Sequence, residues 1–174
     1  KCMNISEFKL LLAKSEFTPK EILEVLAKDE DWTVRGFVAQ NPKFPKEILG
    51  IFAKDKEYWI RASVARNPNV PKEIFKIFAK DESPRIRELV AQNLNVSKEI
   101  LEVLAKDEEY YVRVAVAKNQ KTPKEILEFL AKDKNRYVCV SVAENPKSPK
   151  KILEILAKDE DSYVRASEHK IQTY

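Results

Sequence analysis

Residues 18–43 read TPKEILEVLAKDEDWTVRGFVAQNPK, and residues 44–69 read FPKEILGIFAKDKEYWIRASVARNPN. The second stretch copies the first at a spacing of 26 residues, and further copies begin at Val70, Val96, Thr122 and Ser148 without insertion. A unit this short, repeated in tandem, predicts a stacked array rather than a globule, because one copy alone cannot bury its own apolar face.

Two helical patterns fill each copy. The first opens at Pro19, Pro45, Pro71, Pro123 and Pro149, with Ser97 in the fourth copy. Proline at the first helical position forfeits an N–H that would have no partner there. Ile22, Leu23, Leu26 and Ala27 then form a one-sided apolar stripe, with Lys28 expected in the last turn against the helix dipole. The second helix is expected after Asp31, Glu57, Ser83, Glu109, Asn135 and Asp161, most of which are good N-caps, with Pro84 opening the third copy's helix. Its expected buried face is Val34, Phe37 and Val38, or Val112, Ala115 and Val116 in the fourth copy. Asn41, Asn67, Asn93, Asn119 and Asn145 end it, in a position expected to be left-handed. Pro42, Pro68 and Pro146 forbid continuation. No segment reads as a strand.

The expected organisation is an N-terminal capping helix within residues 1–17, where Phe8, Leu11 and Leu12 match Val34, Phe37 and Val38. Six tandem repeats follow over residues 18–165, at 18–43, 44–69, 70–95, 96–121, 122–147 and a partial 148–165. A divergent tail or cap over residues 166–174 has Glu168 and His169 where other copies have Val-Ala. The chain begins at Lys1 and its one methionine is Met3, as expected of a piece of a longer protein.

Composition narrows the function classes. Two glycines in 174 residues argue against phosphate-cradling loops and hairpin-rich folds. Cys2 and Cys139 supply neither a disulfide framework nor the ligands of a closed metal site, which points to a reducing compartment. No apolar run reaches about 20 residues and no signal-peptide pattern opens the chain, so the expected location is cytoplasmic, with no membrane partner. His169 is the one histidine, which removes histidine triads and histidine metal clusters. Cys139 without a base reads as a small buried thiol. The carboxylates fall in repeated columns or exposed arrays with lysine, and no enzymatic activity is expected.

The columns themselves divide into uniform and variable ones. Asp29, Asp55, Asp81, Asp107, Asp133 and Asp159 form one uniform column, and Arg35, Arg61, Arg87, Arg113 and Arg165 another. They read either as an anion-binding stripe or as a structural ladder in which each Asp accepts from backbone N–H groups and from an Arg of its own or the adjacent copy. Repetition at every copy favours the ladder, since a site needs convergence and a scaffold needs uniformity. Cys139 interrupts the Arg column, and Asp133 is expected to lose a partner there.

The recurring string Ile60-Arg61-Ala62-Ser63-Val64-Ala65-Arg66-Asn67-Pro68, followed by Pro71-Lys72-Glu73-Ile74 and Ala79-Lys80-Asp81, resembles the leucine-rich repeat variant family over nearly all of residues 18–165. That resemblance implies a right-handed superhelix of alternating α- and 3₁₀-helices without β-sheet. The unit here is slightly longer, which favours two α-helices per copy and a HEAT-like arrangement. The expected fold is therefore an all-α, right-handed α-solenoid of two-helix repeats. One family member carries an iron–sulfur cluster on an N-terminal cysteine-rich segment. Only Cys2 stands in that region here, so neither cluster nor metal nor other cofactor is carried over.

Variable positions carry the functional expectation. Trp32, Trp59, Arg85, Tyr111, Tyr137 and Tyr163 sit at the start of the second helices, and Arg66 and Lys118 near their ends. These are either rings closing the seam between copies or a surface for an unidentified protein partner, on the face expected to be concave. Net charge per copy stays between −1 and +2 with no basic run, which disfavours nucleic acid, although the Trp59-to-Tyr163 column keeps base stacking as the alternative. A third reading is an array that spaces other domains. The expected role is non-enzymatic scaffolding.

Overall fold

In a computed structural model, which describes residues 4–67 and 70–169, every regular element is a helix. In chain order these are α1 (Ile5–Lys14), α2 (Lys20–Leu26), α3 (Trp32–Gln40), α4 (Lys46–Phe52), α5 (Tyr58–Arg66), α6 (Lys72–Phe78), α7 (Pro84–Gln92), α8 (Lys98–Leu104), α9 (Tyr110–Lys118), α10 (Lys124–Leu130), α11 (Arg136–Ala143), α12 (Lys150–Leu156) and α13 (Ser162–His169). Both helices of each copy are α, and no 3₁₀ element or strand occurs among the described residues. The chain folds as an all-α repeat solenoid in two units, Lys1–Phe78 and Ala79–Tyr174. In the first, α1, α3 and α5 stack side by side; in the second, α7, α9, α11 and α13 do the same. None of the helices is long and apolar enough to cross a membrane. Cys2, Pro68, the tail from residue 170 and the side chains of Glu168 and His169 lie outside the described residues.

Local chemistry explains each boundary. The prolines sit one position earlier than expected, at the N-cap itself, where extended backbone (φ −57°, ψ 147° at Pro19) suits the ring and the carbonyl accepts from Ile22 and Leu23 N–H. The first helices are only seven residues long: α2 ends at Leu26 with Ala27 as C-cap, so Lys28 lies beyond the cap rather than in the last turn. Second helices are capped as expected where the residue is Asp31 or Asn135, whose side chains accept from Thr33 and Tyr137 N–H. Ser83, Glu57 and Glu109 make no such bond. The conserved turn is supplied instead by the aspartate two residues earlier: Asp55, Asp81 and Asp107 Oδ1 accept from the N–H of Glu57, Ser83 and Glu109 at 2.9, 2.8 and 3.0 Å.

The core runs between the paired helices of each copy and their stacked neighbours. Leu23, Val34, Val38, Leu49, Ile60 and Phe75 are buried in the first unit, and Ile86, Leu101, Val112, Leu127 and Val138 in the second. Burying a side chain of this size stabilises by roughly 1.5–3 kcal/mol. Ile22 departs from expectation at 40% exposed, while its equivalents Ile74, Ile100, Ile126 and Ile152 are buried. No first helix of a preceding copy stands beside it. Phe37 is half-buried, with the Lys14 ammonium 4.0 Å over its ring, and Phe8 and Leu11 on α1 are exposed.

The asparagines that end the second helices are not left-handed. No residue among those described has positive φ, and Asn41 is extended at φ −65°, ψ 123°. The reason is that the side chains of Asn41, Asn67, Asn119 and Asn145 are buried and engaged with the preceding copy. Asn41 Nδ2 donates to Ala13 O and Ser15 O at 2.9 and 3.0 Å, and Asn67 Nδ2 to Ala39 O at 2.7 Å. In the second unit Asn119 Nδ2 donates to Ala91 O and Asn93 O at 2.6 and 3.1 Å, and Asn145 Nδ2 to Ala117 O at 2.6 Å. Each receiving carbonyl belongs to the last turn or C-cap region of the previous second helix, where no intrahelical donor exists. Oδ1 accepts in turn from the N–H two residues on, Lys43 or Lys121. No buried side-chain nitrogen or oxygen among the described residues is left without a partner.

Asn119→Ala strands two buried carbonyls and the Lys121 N–H. The expected loss is about 3 kcal/mol of unfolding free energy by chemical denaturation, against a change within about 0.5 kcal/mol for the exposed Gln120→Ala.

Candidate interaction surface

Two faces of the second helices matter, and the uniform one comes first. Arg113 Nη1 donates to Asp107 O and Glu108 O of its own copy at 2.7 and 2.9 Å. Its Nε and Nη2 grip Asp133 of the following copy at 2.6 and 3.0 Å. Arg87 repeats this, with Asp81 O at 2.9 Å and a two-pronged contact to Asp107 at 2.6 and 2.9 Å. In the first unit Arg35 holds Asp29 O at 2.8 Å and stands 3.4 Å from Asp55, while Arg61 donates to Asp55 O at 2.9 Å. Arg165 donates to Asp159 O at 2.7 Å. One guanidinium thus closes the loop after its own first helix and holds the aspartate of the next, a bidentate geometry that lysine does not reproduce. Lys9 occupies the arginine position of the capping helix and bonds Asp29 at 2.7 Å, a residue the sequence reading passed over.

This direction of pairing corrects one expectation. Asp133 keeps its arginine, because Arg113 comes from the copy before it. The aspartate facing the gap left by Cys139 is Asp159, whose carboxylate accepts from Asp161 N–H at 2.8 Å and is reached by no arginine side chain among the described residues. Cys139 Sγ donates to Asp133 O at 3.2 Å, the carbonyl an arginine would have held. Burial first, then the charges of Asp159 and Asp133, push the thiol up to about 11, so it carries little thiolate at neutral pH.

Electrostatics follow the same contacts. Burial would raise the Asp133 carboxyl, but the Arg113 hydrogen bond and the Asn135 N–H outweigh it and hold the group below the ordinary carboxylate range. The Lys9 hydrogen bond and the Asp31 N–H do the same for Asp29. The Asp107 and Asp133 carboxylates raise Arg87 and Arg113.

The variable face carries exposed aromatics. Trp32 is 47%, Trp59 57% and Tyr163 67% exposed, with Tyr137 and Tyr110 also open. In the second unit these rings lie on one another and on arginine. Tyr110 and Tyr137 have centroids 6.0 Å apart, and the Arg136 guanidinium sits 5.1 Å from the Tyr137 ring and 4.7 Å from that of Tyr163. Tyr111 is half-buried, edge-on to Tyr110 at 5.7 Å. Arg85 pairs with Glu88 on its own helix, whereas Lys118 and, in the first unit, Arg66 are exposed. A second exposed column escaped the sequence reading: Val25, Ile51 and Ile77 in the first unit, and Val103, Phe129 and Ile155 in the second, all on first helices. Their 26-residue recurrence was the available signal. No group of three or more metal-ligating side chains forms among the described residues.

Arg113→Ala is expected to lower stability by about 2 kcal/mol, since it leaves Asp133 part-buried and two carbonyls bare, while Lys118→Ala changes it by less than about 0.5 kcal/mol. Equal losses in melting temperature would contradict a structural role for the arginine column. The pH dependence has a definite sign. Asp29 and Asp133 are depressed in the folded state, so their contribution is complete above the ordinary carboxylate pKa near about 4 and is lost as pH falls below it. Melting temperature should fall on acidification through that range, and less steeply in Asp133→Asn.

Comparison with solved structures finds a leucine-rich repeat variant described as having a novel repetitive protein structural motif, at a TM-score of 0.76 and 28% identity. The alignment covers 96% of this chain and 66% of that one. No family model matches the chain, and no curated protein does. With this identity and coverage, the chain is an all-α repeat solenoid similar, along nearly its whole length, to a leucine-rich repeat variant.

Proposed function

We propose that this chain is a non-enzymatic, cytoplasmic scaffold that binds a protein partner through the face of its second helices, the side expected to be concave. One observation carries the reading: large aromatic side chains at the openings of successive second helices stand about half exposed instead of packing away. Trp32, Trp59, Tyr137 and Tyr163 are the principal ones. Tryptophan, tyrosine and arginine are the side chains that most often anchor protein interfaces. The uniform columns are already committed to internal bonds, which leaves the variable ones to give specificity. Base stacking on the same rings is the second reading, and it lacks the basic track that phosphate contacts need.

The test uses the full chain as bait, with the double variant Trp59→Ala, Tyr111→Ala beside it. A protein captured by the first and lost by the second, at salt concentrations that leave the capture intact, is the expected result. Salt-sensitive binding to labelled oligonucleotides, with no partner lost in the variant, would instead favour the second reading.

A further inference from the structure

The first unit contains an open cleft beside its exposed aromatics. It lies between α3 and α5, measures about 450 Å³, and is walled by the Trp32 and Trp59 indoles, with Gly36 and Phe37 lining it and Arg66 at its edge. That volume falls within the range of small-ligand and side-chain pockets. The two indoles make no ring contact with each other among the described residues, so both remain available to an incoming group.

Gly36 is what opens it. The equivalent positions hold Ala62, Glu88, Val114 and Val140, and Gly36 alone adds no side chain. A Cβ built there would meet nothing nearer than Ser63 Oγ at 3.9 Å. Helical backbone does not require glycine at this position; its effect is space.

The polar groups decide what can enter. Gln40 Nε2 donates to Ser63 Oγ at 3.0 Å, and Ser63 Oγ donates to Trp59 O at 2.8 Å. The Ser63 hydroxyl and one Gln40 N–H are thereby engaged, and the exposed lining is chiefly apolar, so the interior suits an apolar group better than the edge of a base. Arg66 is exposed and forms no ion pair among the described residues, and Lys14 lies over Phe37 without a carboxylate partner. Arg66 is the one charged side chain among those lining the cleft, and a cation held between the indoles would face it. The rim therefore complements an anion.

We infer that the Trp32–Trp59 cleft is a docking site for a linear acidic segment of a partner protein, one that seats a bulky apolar side chain between the indoles and places a neighbouring Asp or Glu carboxylate on Arg66. This rests on the protein-binding role proposed above and gives it a place and a ligand chemistry. An anchor between rigid aromatic walls with one charge-assisted bond at the rim is a common form of peptide recognition.

The chain's two tryptophans are both in this cleft, so intrinsic tryptophan fluorescence reports on it alone. The experiment pans a phage-displayed library of random linear peptides against the full chain. The selected peptides are then titrated by fluorescence against wild type, Gly36→Val and Arg66→Ala. Enrichment of peptides with a bulky apolar residue beside Asp or Glu is expected, with binding abolished by Gly36→Val and weakened about tenfold by Arg66→Ala. Gly36→Val should keep the wild-type circular dichroism and melt at or above the wild-type temperature, because valine replaces glycine in a helix with room around it. No acidic-apolar enrichment, or peptides indifferent to Gly36→Val, would overturn the assignment. So would fluorescence quenching by oligothymidylate that Gly36→Val removes. Selected peptides that ignore both cleft variants but are lost on Tyr111→Ala would sink the cleft and leave the broader scaffold reading standing.

Discussion

A helix nine residues long ends with carbonyls that have no donor of their own, and in a tandem stack those ends are pressed against the next copy, away from water. Every other feature of the fold follows from how that need is met. The asparagine closing a second helix reaches back across the seam within its unit, as Asn119 does, and its amide donates to carbonyls of the helix before it, 28 and 26 residues away. Near the other end of the same helix, arginine holds the aspartate 20 residues onward. Two pins at opposite ends of one element fix both its spacing and its rotation relative to its neighbour. A unit of 26 residues is the length at which both pins engage. Neither bond exists within a single copy, so the repeat has no stable form by itself.

That dependence explains what could and could not be read from the sequence. Period and helix count were legible, because apolar spacing is local and recurs in every copy, and the opening proline recurs in five of six; whether both helices were α was not. The asparagines were misjudged because their local backbone preference was weighed and their burial was not. The signal was there: five copies carry asparagine at this position and none carries glycine, which would serve a left-handed cap better. A side chain is retained so strictly only when it is used. Cys139 was paired with the wrong aspartate for a related reason, since a column pattern shows that arginine and aspartate alternate but not which neighbour each one faces. Lys9 was missed because the capping helix was aligned on apolar residues alone.

The exposed face was legible only in part. Aromatics at the second-helix openings stood out, but their surroundings depend on nearby side chains of the same and the adjacent second helix, and there the copies differ. Arg136 between Tyr137 and Tyr163 turns one stretch into a self-filled stack. Gly36 beside Trp32 and Trp59 leaves another open. One frame and two neighbouring side chains therefore produce opposite surfaces. Sequence alone shows that such positions vary, but not whether the variation fills space or makes it.

The division of labour between columns bears on specificity. Asparagine, aspartate and arginine are consumed by backbone and by each other, and replacing any of them loosens the stack before it alters a partner's view of the surface. Positions such as Gly36, Ala62, Glu88, Val114 and Val140 differ from copy to copy while the asparagine, aspartate and arginine columns stay nearly the same, so they can alter the surface without touching its pins. A repeat scaffold built this way can change what it binds one side chain at a time. The Trp32–Trp59 cleft illustrates the smallest such step: removing one side chain, in a helix whose pins lie elsewhere, turns a seam into a receptor for an apolar anchor.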